Sequence, residues 1–176
     1  NEFHIDSPTL AGLTDSFERS EYHLQSYFLY ANQSLLVHPA WFRFWLNLSI
    51  DTSKDALIYS GEIGLSQFLL ANGVNLRPFY PLVSNLVAHP DTALELVNNQ
   101  VFTLYDINQT LFSWRSLLVR GFPLLKKSLL YNNYHNSNPV SVFSEISTYA
   151  PSEILEILIA DIHHLTVSRF STRPRA

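Results

Sequence analysis

The chain has 176 residues, 47% of them hydrophobic and 14% aromatic, which suits one domain with a real core and excludes a disordered segment. A net charge of −4 argues against a general nucleic-acid binder, and the absence of cysteine rules out disulfides, thiol catalysis and cysteine metal sites. The seven histidines have no metal-ligand spacing, and no apolar run approaches the roughly 18 residues a membrane span requires.

Only 15% of residues are charged, so the surface is thin in charge and fit to be covered by a partner or by another part of the same protein. The chain contains no methionine and opens on Asn, and it reads as a piece of something longer. Residues 1–9 form a lead-in, residues 10–165 one domain, and residues 166–176 a flexible tail that carries Arg169, Arg173 and Arg175.

Leu10 to Leu13 is a short apolar run that leads into Thr14-Asp15-Ser16, a polar triplet at a strand end, either an Asx-turn or the edge of a site. Tyr22 to Tyr30 (YHLQSYFLY) is the strongest strand candidate. Alternation sets Leu24, Ser26, Phe28 and Tyr30 on one face and His23, Gln25, Tyr27 and Leu29 on the other. His23 and Gln25 then project side by side, suited equally to a sugar or phosphate and to water.

A helix follows from Pro39 to Leu48, with Trp41, Phe44, Trp45 and Leu48 on its inner face as core. Asp51 to Lys54 links it to a second helix, capped by Ser60 and closed by Gly73. Here Ile58, Glu62, Leu65 and Leu69 share a face, so Glu62 either complements the helix dipole in the first turn or lines a cleft. Val74 to Tyr80 is a strand ended by Pro81.

Beyond it the pattern blurs. Pro90-Asp91-Thr92 resembles a helix start, and Val101 to Tyr105 a short strand. Asn108 caps a helix with Leu111, Trp114 and Leu118 on one face, ended by Gly121; Pro123 starts another over Leu124 to Leu130. Asn132 to Pro139 is a polar loop, and Ser152 to Leu165 a final amphipathic helix. The fold class is therefore α/β and helix-rich, a few strands packed by amphipathic helices.

Four stretches, in order, resemble the rhamnan-synthesis F type glycosyltransferases of bacterial polysaccharide assembly. They are Gly12-Leu-Thr-Asp-Ser16; Tyr22-His-Leu-Gln-Ser-Tyr-Phe-Leu29; Gly61-Glu-Ile-Gly-Leu-Ser66, with Gly61 for the usual Tyr; and Asn108 to Leu130, with Gln109 where Pro and Ser128 where an acid is usual. The segment from Gly61 to Pro81 is also similar in layout to the helix of inverting GT-A transferases that opens on two acids. Glu62 matches the first acid, and Ile63 stands in place of the second.

The resemblance implies the acceptor-side, C-terminal portion of a GT-A-like domain whose nucleotide-binding half is missing. It implies transfer of a deoxysugar, rhamnose foremost, from a nucleotide sugar to a glycan acceptor, in the cytoplasm or at the inner face of the cell membrane. Glu62 would be the base, its pKa nudged upward by apolar neighbours. Thr14, Asp15, His23 and Gln25 would line the acceptor side, with Lys126 a phosphate contact. The chain has no DxD or glycine-rich phosphate loop, so the divalent metal and the nucleotide would be held by the missing half, and the fragment would be inactive alone. The alternative is a non-catalytic module that binds glycan or scaffolds a polysaccharide assembly.

Overall fold

The computed structural model describes residues 7–49, 53–88, 103–126, 128–131 and 139–149, with 96, 152, 155, 156 and 159 besides. The chain divides into two compact units, Asn1–Ser116 and Leu117–Ala176. The first is mixed α/β, with a small mixed sheet of four strands among the described residues.

Strand β1, Thr9–Ser16, is the centre of that sheet, and all its residues from Leu10 to Ser16 are buried. It pairs antiparallel with β2 (His23–Leu24) and β3 (Leu29–Ala31), and parallel with β4 (Asn75–Tyr80), with Thr9 opposite Asn75 and Thr14 opposite Tyr80. The parallel pair requires a long crossover, which the intervening helices supply. Asn32 caps the first, α1 (Gln33–Leu36), accepting from the Leu35 N–H, and the same oxygen accepts from the Thr9 N–H, tying the helix start to β1.

Helix α2 (Pro39–Asn47) has Pro at its first turn, where the missing N–H is not needed. Its inner face is narrower than the aromatic spacing predicts: Ala40 and Phe44 are buried, while Trp45 is 46% exposed. Phe44 joins Leu10, Leu24, Leu35, Leu65, Leu69 and Val74 in the main core.

The Tyr22–Tyr30 strand is broken. A turn separates β2 from β3, and His23, Leu24 and Gln25 are all buried, so no alternation of faces survives. The helix before β4 also differs from expectation. It starts at Ser53, whose hydroxyl accepts from the Ala56 N–H, and runs as α3 (Lys54–Leu57), a π-helical segment (Ile58–Ile63) and α4 (Gly64–Ala71). Ser60 caps nothing: its hydroxyl donates back to the Ala56 carbonyl inside the helix. The C-terminal stop is as expected, with Gly73 at φ +75 in the left-handed region.

After β4, helix α5 (Leu82–Ala88) starts directly past Pro81 and buries Leu82 and Asn85. Leu82, Leu96 and Ile107 make a second, smaller core. Where a strand was expected near Tyr105, Leu104–Asp106 is a 3-10 turn. Asn108 caps α6 (Gln109–Phe112), as read, but a break at Ser113 separates it from α7 (Trp114–Val119), across which the unit boundary falls.

In the second unit, the expected helix from Pro123 shrinks to α8 (Ser128–Tyr131), and residues 122–126 are not helical. Helix α9 (Pro139–Ile146), absent from the sequence reading, buries Val142 and Ile146, one turn apart. The Pro90 helix start, the 132–138 loop and the 166–176 tail lie outside the described residues, as does most of the Ser152–Leu165 helix.

Candidate functional site

Antiparallel strand β2 uses its Gln25-side amides toward β1, where the Gln25 N–H donates to Thr14 O at 3.0 Å. The backbone groups of the alternate residues face the helix instead, and three helix side chains take them up. Ser66 accepts from the Leu24 N–H at 3.1 Å, Glu62 Oε2 from the Ser26 N–H at 2.8 Å, and Gln67 donates to Tyr22 O at 2.6 Å. The helix thus stands in for a further strand, and Glu62 is delivered to the turn after β2 as part of that edge.

Glu62 lies within the π-helical segment. The Gly64 N–H donates to Tyr59 O, five residues back, and this wider turn rotates the residues before it relative to those after. A Cβ on Gly64 would lie 3.0 Å from Tyr59 O, so only glycine passes that turn without displacing backbone.

Glu62 and His23 meet at the centre. Glu62 Oε1 lies 3.4 Å from His23 Nε2, with the histidine side chain 2% and the glutamate 20% exposed. His23 Nδ1 is 2.8 Å from the Glu21 carbonyl oxygen. A carbonyl only accepts, so Nδ1 carries a proton; at 3.4 Å from the carboxylate, Nε2 is in ion-pair range and is attracted to it when protonated too. Below the folded value of His23 the pair is therefore imidazolium and carboxylate.

The pKa directions agree. Burial disfavours the charged His23 ring, but the Glu62 hydrogen bond and the Glu21 carbonyl outweigh it and raise the ring above its ordinary value. Burial pushes Glu62 up, but His23 and the two Ser26 donors prevail and hold it below the usual carboxylate range. The upward shift expected for Glu62 is thus reversed, because its neighbours on this face are donors rather than apolar groups.

The Ser26 hydroxyl is also bonded to Glu62 Oε2. An alcohol already rests on this carboxylate, which is the contact a general base makes with a hydroxyl substrate before proton transfer.

Thr14 and Gln25 complete this side. Thr14, with no exposure, donates its hydroxyl to Gln25 Oε1 at 2.7 Å and is bonded to the Tyr27 hydroxyl. The Tyr27 phenol is pushed up to about 12, first by burial; although 44% of the residue is exposed, its hydroxyl end lies against the buried Thr14.

Asp15 belongs to a different network. Its Oδ1 accepts from the Leu82 N–H at 2.7 Å and from Gln109 Nε2 at 3.3 Å, and Tyr22 also bonds to the carboxyl. Gln109 spans the same junction, donating to Asp15 O and Tyr80 O at 3.0 and 3.1 Å. Burial raises the Asp15 pKa against these donors, and burial with the nearby carboxylate raises that of Tyr22. Asp15 therefore fastens the ends of β1 and β4 to α5 and α6, and it shares no hydrogen-bond partner with Glu62. Lys126 is exposed, lies on no helix, and belongs to the second unit.

The structure thus pairs Thr14 with Gln25 and His23 with Glu62 on either side of the turn after β2, while Asp15 bonds to Leu82, Gln109 and Tyr22 instead, and both carboxylates act on the Tyr27 phenol. Sequence reasoning missed Ser26, Tyr27, Ser66 and Gln109. The first two lie inside YHLQSYFL but were spread over opposite faces by assumed alternation, and nothing in the sequence around Gln109 signals its three acceptors.

Among the described residues no three His, Asp or Glu side chains gather to hold a metal ion. Nor is any described helix long and apolar enough to cross a membrane. Compared with known proteins, the chain matches no family model, no curated protein and no solved structure.

Proposed function

We propose that this chain is the acceptor-side portion of a GT-A-like glycosyltransferase that moves a deoxysugar, rhamnose foremost, from a nucleotide sugar to a growing bacterial cell-surface glycan, in the cytoplasm or at the inner membrane face. The observation that carries the reading is this pairing around the turn after β2. Thr14, the His23–Gln25 pair and Glu62 come from three of the four stretches that resemble the rhamnan-synthesis F type enzymes, and side chains from all three are hydrogen-bonded into one small region.

The reaction on this reading is an in-line displacement at the anomeric carbon. An acceptor hydroxyl takes the place of the Ser26 hydroxyl on Glu62 Oε2 and gives up its proton as its oxygen attacks. The His23 imidazolium holds the other carboxylate oxygen, fixing the direction in which Oε2 points. As the new bond forms, the bond from the anomeric carbon to the nucleoside diphosphate breaks and the diphosphate departs with the electron pair; no step is assigned to a metal.

The test is Glu62→Gln in the full-length protein. Proton abstraction contributes typically about 10²–10⁴-fold, so transfer should fall by that factor while the protein stays folded. Turnover equal to that of the parent would remove Glu62 from the chemistry. A second reading, a glycan-binding module without turnover, draws on the lowered pKa of Glu62 and on its two occupied oxygens, which make it a weak base. Glycan binding without any transfer by the full-length protein would favour it.

A further inference from the structure

Tyrosine ordinarily buries its ring and leaves its hydroxyl in water. Tyr27 does the reverse. It sits in the turn between β2 and β3 with 44% of its surface exposed, while its hydroxyl is bonded to the wholly buried Thr14. Thr14 has one hydroxyl proton, and it goes to Gln25 Oε1. The sequence of donors is therefore Tyr27 O–H to Thr14, then Thr14 O–H to Gln25.

This order occupies the carbonyl oxygen of Gln25. Its amide nitrogen, on a residue only 5% exposed, has no acceptor among the described residues. The polar ends of Tyr27 and Gln25 both touch Thr14 Oγ1, so they lie within two hydrogen-bond lengths of each other. The Glu62 carboxylate is close enough to act on the Tyr27 phenol.

A tyrosine that keeps 44% of its surface exposed, beside a side-chain amide with N–H to donate and a carboxylate, complements a pyranose. The apolar C–H side of the sugar stacks on the ring, one hydroxyl accepts from the amide, and another donates to the acid. We propose that Tyr27 and Gln25 form a subsite for one pyranose residue of a glycan, with Tyr27 the stacking platform and Gln25 Nε2 the donor to a ring hydroxyl. The identity of the sugar rests on the transferase reading; the subsite geometry does not.

The probe is methyl α-L-rhamnopyranoside at roughly 10 mM, a concentration suited to a single weak subsite, observed by saturation-transfer NMR with the protein. The parent should transfer saturation to the sugar ring protons. Tyr27→Ala should weaken binding about 10-fold or more, Tyr27→Phe should retain most of it, and Gln25→Leu should weaken it several-fold. The amide spectrum of each variant reports its fold, and Tyr27, in an exposed turn, is the position least able to disturb it.

No saturation transfer with the parent, equal binding by Tyr27→Ala, or displacement of the sugar by an equal concentration of glycerol would each overturn the proposal. Because the readout is binding, the two readings fail separately. Rhamnoside held through Tyr27 in a protein whose full-length form transfers no sugar would leave the subsite standing and sink the transferase. Transfer that depends on Glu62 alongside normal binding by Tyr27→Ala would do the opposite.

Discussion

Replacing Glu62 by Gln in this chain tests the charge state of the central pair without any substrate. At 3.4 Å, two unit charges in surroundings of effective dielectric 20 attract by about 5 kcal/mol. Most of that is offset by the cost of desolvating both groups, and Glu62 keeps 20% of its side chain exposed. Gln also retains much of the geometry: its oxygen accepts from the Ser26 N–H, and its amide donates to a neutral His23 Nε2. The net loss should be about 2 kcal/mol where the pair is fully charged.

That condition sets a pH window. The His23 contribution is fully present below its ordinary value of 6.5 and is lost as pH rises through the higher folded value. The Glu62 contribution is present above its ordinary 4.5 and is lost as pH falls through the lower folded value. The two overlap between 4.5 and 6.5. Urea unfolding followed by tryptophan fluorescence should give a difference of about 2 kcal/mol at pH 5.5 and under about 1 kcal/mol at pH 8.5, with the urea dependence unchanged. Equal differences at both pH values would refute the imidazolium–carboxylate assignment.

Gly61→Ala places its Cβ in open space inside a helical stretch and should raise stability by about 0.5–1 kcal/mol, whereas Gly64→Ala pushes on Tyr59 O and should lower it by about 1–3 kcal/mol; thermal melts of the two variants should move in opposite directions. Ser66→Ala leaves the Leu24 N–H without its acceptor and should cost about 1–3 kcal/mol, with hydrogen exchange accelerated at Leu24 before Leu10. Asp15→Asn should cost about 1–3 kcal/mol, and more at pH 3.5 than at pH 7. The raised Asp15 pKa makes its contribution complete below 3.8 and lost as pH rises through the folded value, and an unchanged penalty across that range would contradict it.

What local rules govern was legible in the chain. Pro39 at the first turn of α2, Gly73 at the stop of α4, Pro81 after β4 and Asn108 as a cap all act through their own φ, missing N–H or short side chain, and all fall where the sequence places them. What tertiary partners decide was not legible. Alternation in YHLQSYFLY presumes one buried face, but β2 is covered on both sides, so His23 and Leu24 are equally buried. Ser60 has the right chemistry for a cap, yet Ser53 lies seven residues earlier and the helix propagates through Ser60 because Ile63, Leu65 and Leu69 are buried beyond it. The resemblance puts Glu62 and His23 at one site, but neither a cap rule nor alternation reports the 3.4 Å contact between them.

The contacts around Glu62 decide what it can be. In an unbroken α-helix, Glu62 would lie directly above Ser66 and one turn from Leu65, on the stripe that faces the core. That row meets the β2 edge: Ser66 takes the Leu24 N–H and Glu62 the Ser26 N–H, two residues apart, so the carboxylate finds donors there. The extra residue between Tyr59 and Gly64 shifts the phase by about 100°, the advance of one helical residue. Leu65 and Leu69 stay in the core, while Glu62 reaches the Ser26 turn and the His23 ring. The donors that lower its pKa, His23 and Ser26, are the same contacts that position it. An acid held this way is a weaker base with a fixed direction, so on the transferase reading proposed above it would trade basicity for aim.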